Sequence, residues 1–416
     1  MDRLRSLFSG GVLKNVASLT LMQVANALIP LLVVPFVVRA LGVEAFGKVS
    51  YAQNIVAYFT LFVNYGFEYS ATQDIALCRQ DPERVRVVFW SVLKSKALFL
   101  LGAFVVFLAL MSLFPKMGEE PILYLFAFLI NVGMAITPTW LFQGMETMGK
   151  VALVNVTMKA LSAVLTILLV VAPSDYCLYI LFLSLSYCLA GIALFIMAYV
   201  KYGLKYTSEF DFAPLKKGFP IFLNNVFSNM YALGGITLIG ILLTDMEIGI
   251  YAGGHKIVAA MSMLLSMPLS MALFPSLSLE FASSVVSGWQ KLKAYLALIL
   301  VAGSLFTLAV YFMSPIIVRL FLGEAFGEVV PLLQYLSPIP MLVVIATMFT
   351  VQGLYGMQLQ RYAPWVGAAI LCLSLTLYYI LIPICGVYGA ALGYVASEIL
   401  EISIVYSLLR FHLRNL

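Results

Sequence analysis

A lysine at position 159 sits inside an otherwise apolar run, with Asn155, Ser162 and Thr166 recurring around it at three- and four-residue spacing. On a helix that spacing gathers the four onto one face. A charged group at membrane depth costs about 2.5–3.5 kcal/mol on insertion scales, so it is expected to face a cavity or a partner. An ammonium flanked by amides and hydroxyls is suited to holding an anionic substrate. Lys256, early in a later apolar run, and Arg39, at the outer end of the first, extend the same reading. Uncharged polar residues would line the rest of the cavity: Asn26 (sharing a face with Gln23 and Pro30), Gln53 and Asn64 (on a stripe with Thr60 and Glu68), Asn155, Asn225 and Asn229. Glu68, Glu398 and Glu401 (the last two on one face with Tyr394) could carry a coupling proton, as could His255, whose ordinary pKa is near 6.5. The alternative is structural: long cationic side chains snorkel to the interface, or acids and bases pair with one another.

The elements that must position these groups are membrane helices. Of 416 residues, 63% are hydrophobic and 10% charged, against roughly 25% charged in a soluble chain. The apolar runs are continuous rather than alternating, and each approaches the roughly 20 residues that cross a bilayer core. A helix satisfies its own backbone hydrogen bonds in lipid. The pattern predicts an all-α membrane protein of about twelve spans: 17–39, 49–70, 87–114, 121–143, 151–172, 178–200, 218–243, 250–279, 294–317, 329–354, 363–383 and 387–409. Prolines within or beside these spans, among them Pro138, Pro220, Pro268, Pro275, Pro338 and Pro340, predict bends.

Loop charges set the expected orientation. Lys and Arg crowd the loops on one side, Lys94 and Lys96 counted among them, while the opposite side holds only Arg39, Lys48, Lys116 and Arg319. Both termini are therefore expected in the cytoplasm. The N-terminus lacks a short apolar stretch with a cleavage site and reads as a retained tail. The net charge of +5 fits this sorting and contact with anionic lipid headgroups rather than nucleic-acid binding. Five cysteines without metal-ligand spacing predict neither a metal site nor a disulfide framework.

The loop around 201–217 divides the chain into lobes 1–205 and 206–416, six helices each. A repeat is suggested: Val43-Glu44-Ala45-Phe46-Gly47 and Tyr51-Ala52 follow the first helix, Met246-Glu247-Ile248-Gly249 and Tyr251-Ala252 the seventh. With an even number of helices per half, such a repeat would run parallel, about an axis along the membrane normal. The outer loops 115–120, 173–177, 244–249 and 384–386 are tiny, and the longest, 318–328, offers only Arg319, Glu324 and Glu328. No P-loop, dinucleotide-binding, HExxH or GxSxG pattern is present. No catalytic residue and no cofactor are expected. The chain reads as a transporter driven by a gradient or by its substrate's own.

Three segments carry a family resemblance: Asn26, Pro30, Pro35 and Arg39-Ala40-Leu41-Gly42-Val43-Glu44-Ala45-Phe46-Gly47; Tyr65-Gly66-Phe67-Glu68-Tyr69-Ser70-Ala71-Thr72-Gln73-Asp74-Ile75-Ala76; and Pro138-Thr139-Trp140-Leu141-Phe142-Gln143-Gly144-Met145-Glu146. They resemble the Wzx-type O-antigen flippases of the multidrug/oligosaccharidyl-lipid/polysaccharide superfamily. The resemblance implies a V-shaped, two-lobed bundle that alternates access around a cationic cavity. It implies movement of an undecaprenyl-diphosphate-linked oligosaccharide, such as an O-antigen unit, from the cytoplasmic to the periplasmic leaflet of the bacterial inner membrane. Implied partners are membrane lipids and the polymerase and chain-length regulator of lipopolysaccharide or other polysaccharide biosynthesis. A proton or sodium gradient is the implied drive. The same superfamily contains cation-coupled multidrug antiporters, the main alternative; a membrane polymerase or ligase is disfavoured by the short outer loops.

Overall fold

The computed structural model describes residues 10–414, without the side chains of 10–28, 30 and 31, so Asn26, Gln23 and Pro30 lie outside the described side chains. The chain is helical, with no strand among the described residues. Its principal helices are α1 (Gly10–Asn64), α2 (Phe67–Cys78), α3 (Pro82–Leu113), α4 (Pro121–Ile136), α5 (Thr139–Gly144), α6 (Met148–Leu169) and α7 (Tyr176–Tyr202). There follow α8 (Ala213–Leu242), α9 (Asp245–Ser283), α10 (Val285–Phe321), α11 (Val329–Leu336), α12 (Ile339–Thr347), a π-helical segment Met348–Tyr355, α13 (Ala363–Cys385) and α14 (Val387–Arg414). Ten segments from Pro82 onward are long and apolar enough to cross a membrane, and they coincide with the last ten expected spans. The first expected span and most of the second fall in α1, which is divided at Gly42 (φ 72°, ψ 179°).

Local chemistry sets the ends. The Asp81 carboxylate accepts from the Arg84 amide at 3.2 Å, with Pro82 opening α3. Thr244 and Glu247 cap each other's backbone at the start of α9, at 3.3 and 2.9 Å. Ser284 caps α10 at 3.3 Å. Between α1 and α2 the backbone turns left-handed at Tyr65 (φ 46°) and Gly66 (φ 81°). The expected span 49–70 therefore ends six residues early, and Glu68 lies in the first turn of a new helix instead of continuing the Gln53, Thr60 and Asn64 stripe. In the span 329–354, Pro338 starts a new helix, as its ring and missing amide require. The π-helical turns beyond contain Gln352, fully buried, whose amide donates to the Ser270 carbonyl (3.2 Å) and hydroxyl (3.0 Å).

The chain forms two compact units, one of Met1–Leu41 with Ala52–Val226, the other of Gly42–Tyr51 with Phe227–Leu416. In the first, α2 packs on α5, placing two of the motif segments, 65–76 and 138–146, against each other. Gly144 lies where a Cβ would come within 2.9 Å of the Thr72 carbonyl. The Thr72 hydroxyl donates to the Trp140 carbonyl at 3.3 Å, and Arg79 pairs with Glu146 at 3.0 Å. Phe67, Ala71, Ile75, Trp140, Leu141 and Phe142 sit in the core built there.

In the second unit the short 42–51 segment is embedded through Phe46 and Val49, both fully buried. The two repeat motifs meet there reciprocally. A Cβ on Gly47 would lie 1.9 Å from the Asp245 carbonyl oxygen, and one on Gly249 would lie 2.0 Å from that of Val43. Each glycine thus abuts the residue four positions before the other, the arrangement expected of equivalent positions about a two-fold axis.

Lys96 corrects the loop-charge reading. It is a buried residue of α3, 2% exposed, and its ammonium donates to the Met134 carbonyl at 2.8 Å. In an uninterrupted helix that carbonyl would accept from the amide of residue 138, but residue 138 is proline. Lys96 supplies the donor that Pro138 lacks, where α4 gives way to α5. Lys96→Met is expected to lower stability by about 1–3 kcal/mol, the cost of an orphaned buried acceptor, read from the unfolding midpoint. The loss should shrink when Pro138→Ala restores a backbone amide; an equal loss in both backgrounds would refute the pairing.

Candidate functional site

Helix α6 carries Lys159, Ser162 and Thr166 along one face, because positions three and four apart on a helix are neighbours. Opposite, α7 contributes Tyr179, Ser186 and Tyr187, and together they line a small pocket in the first unit. Apolar walls come from Ile29, Val33, Ala163 and Leu183. The Lys159 ammonium lies 5.3 Å from the centre of the Tyr187 ring, within cation–π range. One ammonium among five hydroxyls can bind phosphate oxygens and sugar hydroxyls alike. The pocket's volume, about 60 Å³, is room for roughly two waters, so it offers one wall to a head group rather than enclosing it.

The other residues expected beside Lys159 are placed differently. Asn155 turns its amide back to the Val151 carbonyl at 3.0 Å and is not among the lining residues. Arg39 is exposed on α1, three residues before the Gly42 break. Gln53 is half-buried and hydrogen-bonded to Tyr179, one of the pocket's walls. Asn64 is half-buried, with an Oδ1 that has no hydrogen-bond partner. Asn225 is half-buried and Asn229 exposed, both on α8 and outside the lining of either polar pocket. Glu68, half-buried in the first turn of α2, acts electrostatically on Lys96.

A second pocket, of about 430 Å³, lies wholly in the second unit. Glu398 and Glu401, neighbours on α14, point into it with Tyr231, Tyr394, Thr350, Ser262 and Ser266. Glu398 is 2% exposed and accepts from the Tyr231 hydroxyl at 3.3 Å; Glu401 accepts from the Thr350 hydroxyl at 3.4 Å. Thr350 belongs to the π-helical segment, a register that recurs at functional sites. Two carboxyl groups ringed by hydroxyls form an oxygen-rich set suited to a proton or a hard cation. Lys256 is occupied elsewhere in this unit: its ammonium lies 4.4 Å from the Phe46 ring centre and 3.5 Å from the Ser50 hydroxyl. His255 lies between the rings of Tyr251 and Tyr394, with centroids 5.8 and 5.5 Å away.

The sequence reading missed Tyr179, Ser186 and Tyr187 on α7 and Tyr231 and Thr350 in the second unit. The α7 residues did leave a trace: Tyr179, Leu183, Ser186 and Tyr187 follow helical spacing, so the polar members of an apolar helix share a face. No such trace marks Thr350, because its position depends on the altered helical register.

Residues 12–279 match the family model described as polysaccharide biosynthesis protein. A relative in Escherichia coli (strain K12), named "Putative O-antigen transporter", is 28% identical over 400 residues, covering 95% of this chain and 96% of the relative. One of the same name in Shigella dysenteriae is 27% identical, covering 81% and 84%. Among solved structures, an inward-facing multidrug resistance MATE family transporter of the MOP superfamily superposes with a TM-score of 0.76 at 13% identity, covering 96% of this chain and 98% of that one. The lipid II flippase MurJ, in an inward closed conformation, gives 0.71 at 15% identity, covering 94% and 87%. At these identities the structural matches establish a shared fold.

Proposed function

The chain belongs to the polysaccharide biosynthesis protein family, and on that premise we propose that it is a flippase for a lipid-linked oligosaccharide. The family match and the two curated relatives agree with the resemblance to Wzx-type O-antigen flippases. In this reading the substrate is an undecaprenyl-diphosphate-linked repeat unit, moved from the cytoplasmic to the periplasmic leaflet of a bacterial inner membrane, with both chain termini cytoplasmic. The observation that carries it is the Lys159 pocket. A diphosphate needs positive charge, a sugar needs hydroxyl partners, and the lipid tail can stay in the bilayer. Lobes 1–205 and 206–416 would alternate access to the two sides. The Glu398–Glu401 pocket would take the coupling proton or sodium ion. The product would pass to a polymerase and chain-length regulator, and the chain itself would catalyse no bond-making step.

A second reading, a cation-coupled multidrug antiporter, is favoured by that same acidic pocket, since buried carboxylates also suit cationic drugs. Deletion of the gene is expected to leave lipid-linked units on the cytoplasmic leaflet and to strip the surface polysaccharide, with no change in drug efflux. Normal polysaccharide after deletion would refute the flippase reading. Efflux that falls both on deletion and in Glu398→Gln would install the antiporter.

A further inference from the structure

The first unit also carries an apolar groove that the polar pocket does not use. Phe59, Phe62 and Tyr65 at the end of α1, Phe222 of α8, and Leu98, Phe99, Gly102, Ala103 and Val106 of α3 enclose about 350 Å³, at the lower end of ligand-pocket volumes. Its walls are interlocked rings. Tyr65 stacks on Phe222 with centroids 5.0 Å apart and lies 4.8 Å from Phe99. Phe59 packs edge-on to Phe107 and Phe128, each 5.8 Å away. Phe62, Leu98 and Val106 remain 49%, 66% and 52% exposed, so the groove opens toward hydrocarbon.

Along α3 the groove follows one helical face, from Leu98 through Gly102 to Val106, about 12 Å at helical rise. One turn before Leu98 on that face stands Lys94, and five residues before Phe222 stands Lys217. Lys94 is bonded to the Thr207 carbonyl at 2.6 Å, and Lys217 is ion-paired with Asp74. Asp74 offsets the Lys217 charge, whereas Lys94 donates to neutral carbonyls and keeps its own, so the groove is basic at the Lys94 end and apolar beyond. Its occupant should have the same polarity, an anionic head followed by a hydrocarbon chain. Gly102 keeps the slot open: a Cβ there would meet nothing within 4 Å.

We propose that this groove seats the isoprenoid tail of the transported lipid on loading, with its phosphate end toward the Lys94 side before the head group moves on to the Lys159 pocket, and so selects a polyprenyl carrier over ordinary membrane lipid. The proposal rests on the flippase reading and adds the tail's position and a basis for carrier selection. Rigid aromatic walls favour a methyl-branched chain that fills the slot, whereas an acyl chain passing over a smooth helix surface needs no such cavity.

The test enlarges residue 102 stepwise, as Gly102→Ala, Gly102→Leu and Gly102→Phe, in the full chain. Helix propensity improves or changes little on leaving glycine, and the added atoms enter open space, so folding should survive; equal unfolding midpoints check this. Binding of undecaprenyl phosphate and of dioleoylphosphatidylglycerol is compared by native mass spectrometry. Undecaprenyl phosphate should bind about tenfold more weakly in Gly102→Leu and weaker still in Gly102→Phe, the loss of a few buried methylenes. Gly102→Ala should bind nearly as the wild type, and phosphatidylglycerol should be unaffected throughout. Unchanged undecaprenyl phosphate binding in all three variants would overturn the proposal. So would equal weakening of both lipids, which would make the groove a general lipid seat. Failure of the flippase reading would appear separately, as normal surface polysaccharide on deletion whatever the groove binds.

Discussion

Lys159→Met should abolish most transport while leaving the protein as stable as before, or more so. Methionine keeps much of the length and flexibility of the side chain while removing its charge and its N–H donors. An ammonium–phosphate hydrogen bond is worth roughly 1.5–3 kcal/mol, so loss of the contact should reduce transport about 10- to 100-fold. Stability should move the other way, since a half-buried charge at membrane depth is costly to insert. Lys159→Arg should recover part of the transport because the charge returns; Lys159→Gln, polar but neutral, should not. The measurements are surface polysaccharide in a deletion strain carrying each variant, and the unfolding midpoint of each purified protein. Lys159→Met at normal abundance with normal polysaccharide would remove Lys159 from the mechanism.

The split between transport and stability matters because two of the three family motifs lie away from the pocket. Two of the three segments from which the resemblance is read, 65–76 and 138–146, pack against each other through Gly144, Thr72 and Ile75 and build the core of the first unit. They record how the unit is held together. The pocket was legible instead in residues that break the apolar rule, Lys159 with Ser162 and Thr166, because a polar stripe has few uses inside a bilayer. Half of its lining was not read, since α7 contributes hydroxyls without a charge to draw attention to them.

The spans themselves were readable because bilayer thickness dictates their length, and ten of the expected segments match ten helices. What escaped were features set by packing between distant residues. Lys96 and Pro138 are both plain in the sequence, yet only the fold brings the ammonium to the carbonyl at Met134. The π-helical segment Met348–Tyr355 brings Gln352 to Ser270, a contact between residues 82 positions apart that local pattern does not encode. Arg39 and Lys256, grouped with Lys159 as cations within or beside apolar runs, have different surroundings: one is exposed on α1 and the other lies over Phe46. Charge type identified the candidates, and position then separated them.

The reciprocal glycines lead to the other large effect. Gly47→Ala and Gly249→Ala should each destabilise the second unit, because the new methyl group meets backbone rather than a side chain that could rotate away. A methyl carbon would stand 1.9 Å from the Asp245 oxygen in the first variant and 2.0 Å from the Val43 oxygen in the second. To admit either, α9 and the 42–51 segment must separate by roughly 1.5–2 Å, the shortfall from ordinary carbon contact distances. Overpacking of this kind costs about 1–3 kcal/mol or more at one site. Both methyl groups press on one contact, so a separation that accommodates the first relieves much of the second. The double substitution should therefore cost clearly less than the sum of the singles, by roughly 0.5 kcal/mol or more, as expected for coupled neighbours. Gly102→Ala, where the added methyl meets nothing, is the control and should leave the midpoint unchanged or raised. Additive losses at 47 and 249 would mean that the two glycines serve separate contacts, and the structural support for an internal repeat would go with them.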